Sequence, residues 1–333
     1  MNVQELQQLI FQAIKRKLPA DASIADEVAG LLEISTDSAY RRMRGEKLIT
    51  FEELYKIAIH YRISLDQLMS INNGTIQFQG QYLDKKTFRF EEYMTSLLQN
   101  VAYINSFKEK EFYYSCKDMP IFHHFVLREI AAFKWFFWLK TYFQFPEFER
   151  KKFSVTDYPD ELFAIDQKVL TLYKQIPSVE IWNIESMSII FRQIDFYLDG
   201  HVFQSDRDAY ALYEAVEKLW NHLEEQAALG YKFYYNDPEK KPMARFRMYF
   251  NEVLLGDNTM LITADGLKFS YITHSTINFM LSRDIAFNEN LYNHLQNQMK
   301  RSTLISAVSE KERSKFFRII RERISRRKEA LNI

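Results

Sequence analysis

Between Ser23 and Thr50 a hydroxyl side chain stands three times just ahead of a short apolar stripe, and that spacing divides the first seventy residues into short helices. Val3 to Lys17 carries Leu6, Ile10 and Ile14 at four-residue intervals on one helical face, and Pro19 follows as a stop. Ser23 caps a second helix, with Ile24, Val28, Leu31 and Leu32 on one side. After Glu33-Ile34-Ser35, the Ser35 hydroxyl caps a third helix that runs to about Arg44 and stops at Gly45. Thr50 opens a fourth, and Glu53 three residues on completes a capping box, with Leu54, Ile57, Ala58 and Tyr61 facing inward. Ser64 to Met69 adds a last turn or two, so residues 1–70 are expected to form a five-helix domain.

The helical period fails over residues 71–80, where Asn-Asn-Gly supplies turn chemistry, and this stretch reads as a linker. Residues 81–333 then show helical patterns at Phe88 to Ser106, Pro120 to Phe145, Asp160 to Gln175, Trp182 to Leu198 and Ser205 to Leu229. Strand signals interrupt them at Glu111 to Cys116 and at Thr259 to Thr273, which alternates on both sides of Asp265-Gly266 as a hairpin does. FRMYFNEVLL reads either as a third strand or as a helix end. The expected fold class is therefore mainly α: a small helical domain, then a larger, mainly helical α+β domain with a small antiparallel sheet. The larger domain is expected to regulate and to dimerise.

Charge excludes a global field, since Lys plus Arg and Asp plus Glu are 44 each. Attraction to nucleic acid or to an anionic membrane has to be local. Of the 333 residues 47% are hydrophobic, with 28 Phe and 20 Tyr against only 8 Gly and 7 Pro, which favours a core-rich chain over a disordered one. Cys116 stands alone, so neither an intramolecular disulfide nor a four-thiolate zinc site is available. With no stretch of eighteen uncharged apolar residues, the chain reads as a cytoplasmic protein without a membrane partner.

The third helix carries the functional signal. With Ala39 and Met43 turned inward, Asp37, Arg41 and Arg44 lie outward, flanked by Tyr40 and Ser38. A small residue in mid-helix, a preceding helix packed across a three-residue turn and cations along the outer face suit a helix laid in the major groove of DNA. There Arg can donate to guanine O6 and N7, and Asp can accept from cytosine N4. Asp37 can alternatively orient Arg41, four residues on.

STDSAYRRMRGEKLITFEELYKIAIHYRISLDQL, Ser35 to Leu68, resembles the helix-turn-helix core of the lambda-repressor-like family, including its Cro/CI-type and BetR-like members. Arg44-Gly45-Glu46-Lys47, Thr50 to Tyr61 and Ser64 to Leu68 hold the family's places; Glu33 stands where the family often has Gly, and Met43 where many members have Glu. The resemblance covers about residues 1–70 and implies a DNA-binding transcription regulator, with Thr36 to Arg44 as recognition helix. Its candidate contacts to double-stranded DNA are Ser35, Thr36, Asp37, Ser38, Tyr40, Arg41, Arg44 and Lys47. A homodimer is expected, because one such domain buries too little surface to bind specifically alone. The larger domain would add dimerisation and sensing of a small-molecule or peptide effector. The competing reading is a peptide- or partner-protein-binding regulator whose helical C-terminal region is the main recognition surface.

Other chemistry is sparse. The eight glycines are scattered, with no phosphate loop, and neither His-Glu-x-x-His nor Gly-x-Ser-x-Gly occurs. His123 and His124 are adjacent and point about 100° apart on a helix, a poor metal pair. Asp195 and Asp199 read as exposed carboxylates. No enzymatic activity, metal or cofactor is expected. Phe133, Phe136, Phe137, Trp138, Tyr142 and Phe143 surround one helix, as in a core; large aromatics also wall ligand pockets, with Lys134 or Lys140 to hold an acidic group. Between Lys300 and Glu329 eleven Lys or Arg face four Asp or Glu, on a helix that either docks through Phe316, Phe317, Ile320 and Ile324 or touches phosphate.

Overall fold

A computed structural model describes the chain except residues 1, 16, 20–21, 62, 64, 66–67, 69–75, 81–85, 254–255, 275–276 and 332–333. The chain divides into two compact units, Met1–Gln77 and Phe78–Ile333. No helix among the described residues is long and apolar enough to cross a membrane.

In the first unit the described residues form α1 (Val3–Lys15), α2 (Ile24–Leu32), α3 (Thr36–Met43) and α4 (Phe51–His60). Their N-termini are fixed by side chains: Ser23 accepts from the Asp26 amide and Ser35 from the Ser38 amide, while Thr50 and Glu53 bond each other's backbone N–H. Ile10, Ile14, Val28, Leu32, Ala39 and Ile57 close one core. Glu33 ends α2 at φ 56°, the left-handed geometry that glycine adopts most easily. The fifth helix expected over 64–69 lies, apart from Leu65 and Leu68, outside the described residues.

The second unit departs from the expected fold class. Its elements run α5 (Phe90–Ser106), β1 (Lys110–Cys116), α6 (Ile121–His124), α7 (Arg128–Phe137), α8 (Asp160–Lys174), β2 (Ser178–Trp182), α9 (Ser188–Asp199), α10 (Asp206–Leu229), β3 (Phe246–Phe250), β4 (Thr259–Ala264), β5 (Leu267–His274), β6 (Asn278–Ser282), α11 (Ile285–Lys300), β7 (Thr303–Leu304) and α12 (Glu310–Ala330). The strands make one seven-stranded sheet in the order β6-β5-β4-β1-β2-β3-β7. It is mixed, with β1–β2 and β2–β3 parallel and the remaining pairings antiparallel. The small antiparallel sheet inferred from the Asp265-Gly266 hairpin is only one arm of this sheet. The expected fold class therefore fails at the sheet, which is a seven-stranded mixed one rather than a small antiparallel one, although helices still make up much of the unit.

The physical reason lies in β2. Helices reach its sheet from both faces, and each of its five residues is buried, so the polar-apolar alternation of Ser178-Val179-Glu180-Ile181 does not mark a solvent-facing side. Phe112, Met248 and Ile262 belong to the large core on one face, together with α5 to α10 and α12. On the opposite face Tyr113, Val179, Ile181 and Leu261 pack against Leu295 and Met299 of α11. The sequence pattern also ran Trp182 into a helix, whereas it ends β2. The long helix expected over Pro120 to Phe145 breaks into α6, α7 and a π-helical turn at Trp138–Tyr142, because Leu127 is extended ahead of α7.

A carboxylate holds the centre of the large core. Glu180 of β2 is fully buried and accepts from Trp182 Nε1 at 2.8 Å, from the Tyr173 hydroxyl and from His123 Nε2 at 2.9 Å. Burial pushes its pKa up, but the adjacent His123 and Tyr173 donors and the Lys232 ammonium outweigh that and hold it below the usual carboxylate value.

Glu180→Ala orphans these donors in a dry interior and is expected to cost about 3–5 kcal/mol, while Tyr173→Phe removes one donor and costs about 1 kcal/mol. All 4 tryptophans lie in the second unit, so urea unfolding followed by tryptophan fluorescence reports on it alone. Equal losses for the two variants would show that Glu180 is not the hub.

Candidate nucleic-acid interface

The arginines of Arg41-Arg42-Met43-Arg44 part company in the fold. Arg42 is 3% exposed and is spent on structure: Nε and Nη2 donate to the two oxygens of Glu53 at 3.1 and 2.6 Å, and Nη1 donates to the Ser38 carbonyl at 3.0 Å. Arg42 thus clamps α3 onto the first turn of α4, and Glu53 serves as both capping residue and counter-ion. The hydrogen bonds from Arg42 depress the Glu53 pKa, with burial opposing. Gln7 of α1 completes the support from below. Its Nε2 donates to the Arg42 and Lys47 carbonyls at 2.6 and 2.9 Å, and its Oε1 accepts from the Ile49 amide at 2.9 Å.

The turn Glu33-Ile34-Ser35 joins α2 to α3, and α3 buries Ala39 beside Arg42. Its outer side carries the other candidates. Thr36, Asp37, Tyr40, Arg41 and Arg44 are exposed, Ser38 is half-buried, and Ser35 and Lys47 flank them at the surface. The structure therefore puts the eight candidates on and around one helix face, but several are already engaged. Ser35 is the cap of α3, and its hydroxyl donates to Ser38 Oγ at 3.0 Å. The Thr36 hydroxyl donates to Asp26 at 3.3 Å. Arg44 donates to both Glu46 oxygens at 2.6 and 3.2 Å, and Arg41 lies 3.7 Å from the same carboxylate. Arg41 thus pairs with Glu46 rather than with Asp37. Among the described residues the Lys47 ammonium has no hydrogen-bond or ion-pair partner.

Two residues escaped the reading of the sequence. Arg42 was given no role, although its place three residues after Ala39 puts it on the buried side. Glu46 was passed over, yet it holds two cations of the outer face. The Arg44 hydrogen bond lowers the Glu46 pKa, and the exposed pair can exchange for a phosphate as one anion for another.

A helix supported from within by a buried ion pair and offering Arg, Asp, Tyr and Lys outward, next to a second helix across a short turn, can read a groove. The BetR domain family model matches residues 6–91. BetR domains are a helix-turn-helix type of DNA-binding domain, and the match supports a DNA-binding regulator at that general level. It takes in α1 from Leu6 onward together with α2, α3 and α4, and ends at the start of α5. Comparison with curated proteins and with solved structures produced no match.

The remaining candidate chemistry lies in the second unit. Among the described residues no three His, Cys, Asp or Glu side chains are grouped to hold a metal ion. Cys116 is buried, and desolvation raises its thiol pKa well above the ordinary value. Asp195 is not a free carboxylate but pairs with Arg327 at 3.0 Å. The basic C-terminal segment docks: Phe316, Phe317, Ile320 and Ile324 of α12 are buried, while Arg321, Arg323 and Lys328 pair with Glu224, Glu185 and Glu217.

Glu53→Gln leaves the buried Arg42 without a counter-charge and is expected to destabilise the first unit by about 2–3 kcal/mol. Because the folded-state pKa of Glu53 is depressed, its contribution is complete above the unfolded value of about 4.5 and is lost as pH falls through the lower folded value. Wild type should therefore lose helical signal on acidification below that value, and the variant should be less sensitive to the same change. Far-UV circular dichroism read alongside tryptophan fluorescence isolates the first unit. An identical acid response in both proteins argues against the clamp.

Proposed function

We propose that this protein is a sequence-specific DNA-binding transcription regulator of lambda-repressor-like type, not an enzyme, acting in the cytoplasm. The observation that carries the reading is the division of labour on α3: Arg42 is buried against Glu53, while Asp37, Tyr40, Arg41 and Arg44 face outward. Support comes from the BetR match over the same helices. In this reading Thr36 to Arg44 enters the major groove, Arg41 donates to a guanine edge, and Arg44 trades Glu46 for a phosphate. Lys47, just past the helix, touches the backbone. The second unit supplies a symmetric dimer, so that two recognition helices meet half-sites about one helical turn apart, and it senses an effector.

Genomic DNA recovered with the intact protein supplies the operator on which the contacts can be measured. Arg41→Ala should then cost about 1–3 kcal/mol on that operator and relax preference at one base position, with random DNA bound much as before. Lys47→Ala should weaken all sequences alike and make the salt slope shallower by about one unit. Operator and scrambled duplexes titrated across a salt series distinguish the two. If both variants bind the operator as wild type does, α3 is not the reading helix. Light scattering at tens of micromolar is expected to give twice the 40.0 kDa chain mass, and a monomer would remove the dimer from this account.

A further inference from the structure

Lys134 and Lys140, the two cations of the aromatic helix region, have different fates. Lys140 donates to the carbonyls of Phe148, Glu149 and Lys151 at 2.7, 2.6 and 3.0 Å and is consumed by that turn. Lys134 instead lines a cavity of about 410 Å³ in the second unit, a size usual for a small-molecule site. Its polar side is formed by Lys134, His124, Asp118 and Gln193, and its apolar side includes Trp138, Phe279 and Ile189.

The polar side is built but incompletely bonded. Lys134 is 2% exposed and donates to Gln193 Oε1 at 3.0 Å, while the Asp118 carboxylate stands 3.7 Å away, beyond direct hydrogen-bond range. Asp118 is held in place by its neighbours: its Oδ1 accepts from the Met119 amide at 2.7 Å, and its own amide donates to Asn258 Oδ1 at 2.9 Å. His124 is 3% exposed, and neither ring nitrogen has a hydrogen-bond partner among the described residues. Such a group in a protein interior calls for an explanation, since burying it unbonded is unfavourable. Desolvation, with Lys134 nearby, keeps the imidazole neutral, so it offers one donor and one acceptor.

We propose that this cavity binds a free α-amino acid with an apolar side chain. Charge selects the class. The lining holds two cations, Lys117 and Lys134, and two anions, Asp118 and Asp257, so the site favours neither a net anion nor a net cation. Lys117 and Asp257 are already closed at 3.0 Å on the exposed rim. The pair inside the cavity is Lys134 and Asp118, an ion pair at 3.7 Å without a direct hydrogen bond. A lone carboxylate brought to Lys134 must also face Asp118, and a lone ammonium brought to Asp118 must face Lys134. A zwitterion whose charges run opposite to that pair meets both attractions at once. Its carboxylate accepts from Lys134, its ammonium donates to Asp118, and its side chain lies along Trp138 and Phe279. The site lies wholly within the second unit, so the inference stands apart from the reading of DNA.

The test is titration calorimetry of the full chain with each protein amino acid, 3-phenylpropanoate and phenethylamine, the last two carrying one charge each. At least one amino acid with an apolar side chain is expected to bind, and both single-charge probes to bind at least about tenfold more weakly than it does. Lys134→Met should weaken that amino acid by at least about tenfold. Since Lys134→Met leaves Asp118 alone and can unsettle the fold, Ile189→Trp is the second variant; it fills the cavity from a half-buried wall position without touching a charge and should abolish binding. Calorimetry showing no amino acid bound, a single-charge probe bound as tightly, or unchanged binding in Ile189→Trp overturns the proposal.

Discussion

The buried Arg42–Glu53 pair is the interaction on which the candidate interface depends. It joins the middle of α3 to the first turn of α4, and the same carboxylate closes the capping box with Thr50. Because Arg42 gives its fork of donors to one carboxylate and to the Ser38 carbonyl, the rotation of α3 about its own axis is fixed. Everything exposed on α3 follows from that rotation. Ala39 packs inward with only a methyl group, and Arg41 and Arg44 face outward because helical geometry turns them about 100° and 160° away from Arg42.

The second unit uses the same device in a drier place. Glu180 sits on a strand between two parallel neighbours, and His123, Tyr173 and Trp182 bring their donors to it from α6, α8 and β2 itself. A buried carboxylate is unfavourable unless its lone pairs are filled, so the elements bearing those donors are constrained to one arrangement. His124, next in sequence to the histidine that donates to Glu180, lines the cavity with both ring nitrogens buried and without a hydrogen-bond partner among the described residues. Adjacency in the chain thus gave two histidines opposite roles.

Charge clusters proved to be mixtures of structural and available groups. The cationic stretch after Ser35 contains one arginine locked inside, two held by Glu46 and one lysine without a partner among the described residues. The basic C-terminal helix pairs with carboxylates on α9 and α10 and with Glu185 just ahead of α9, so four of its cations are matched by the body it docks on. For the C-terminal helix, counting charge along the sequence cannot make this distinction, because the counter-ions lie 97 to 138 residues away in the chain.

Local chemistry determined what was legible in the sequence. The caps at Ser23, Ser35 and Thr50, the stripe through Ile10 and Ile14 and the Asp265-Gly266 turn act within a few residues, so the short helices and the hairpin could be read directly. The exposure of Arg41 and Arg44 followed from helical geometry alone. What the tertiary structure decided were the features made by residues far apart. Helices cover both faces of β2, so even its polar Ser178 and Glu180 are buried, and the seven-stranded sheet it belongs to could not be seen without its partners. Arg42 turned inward because Glu53 was there to receive it, and Lys134 lines a cavity because α7 and α9 meet beside Asp118. Local propensity fixes a helix; only the fold chooses which of its charges find a partner.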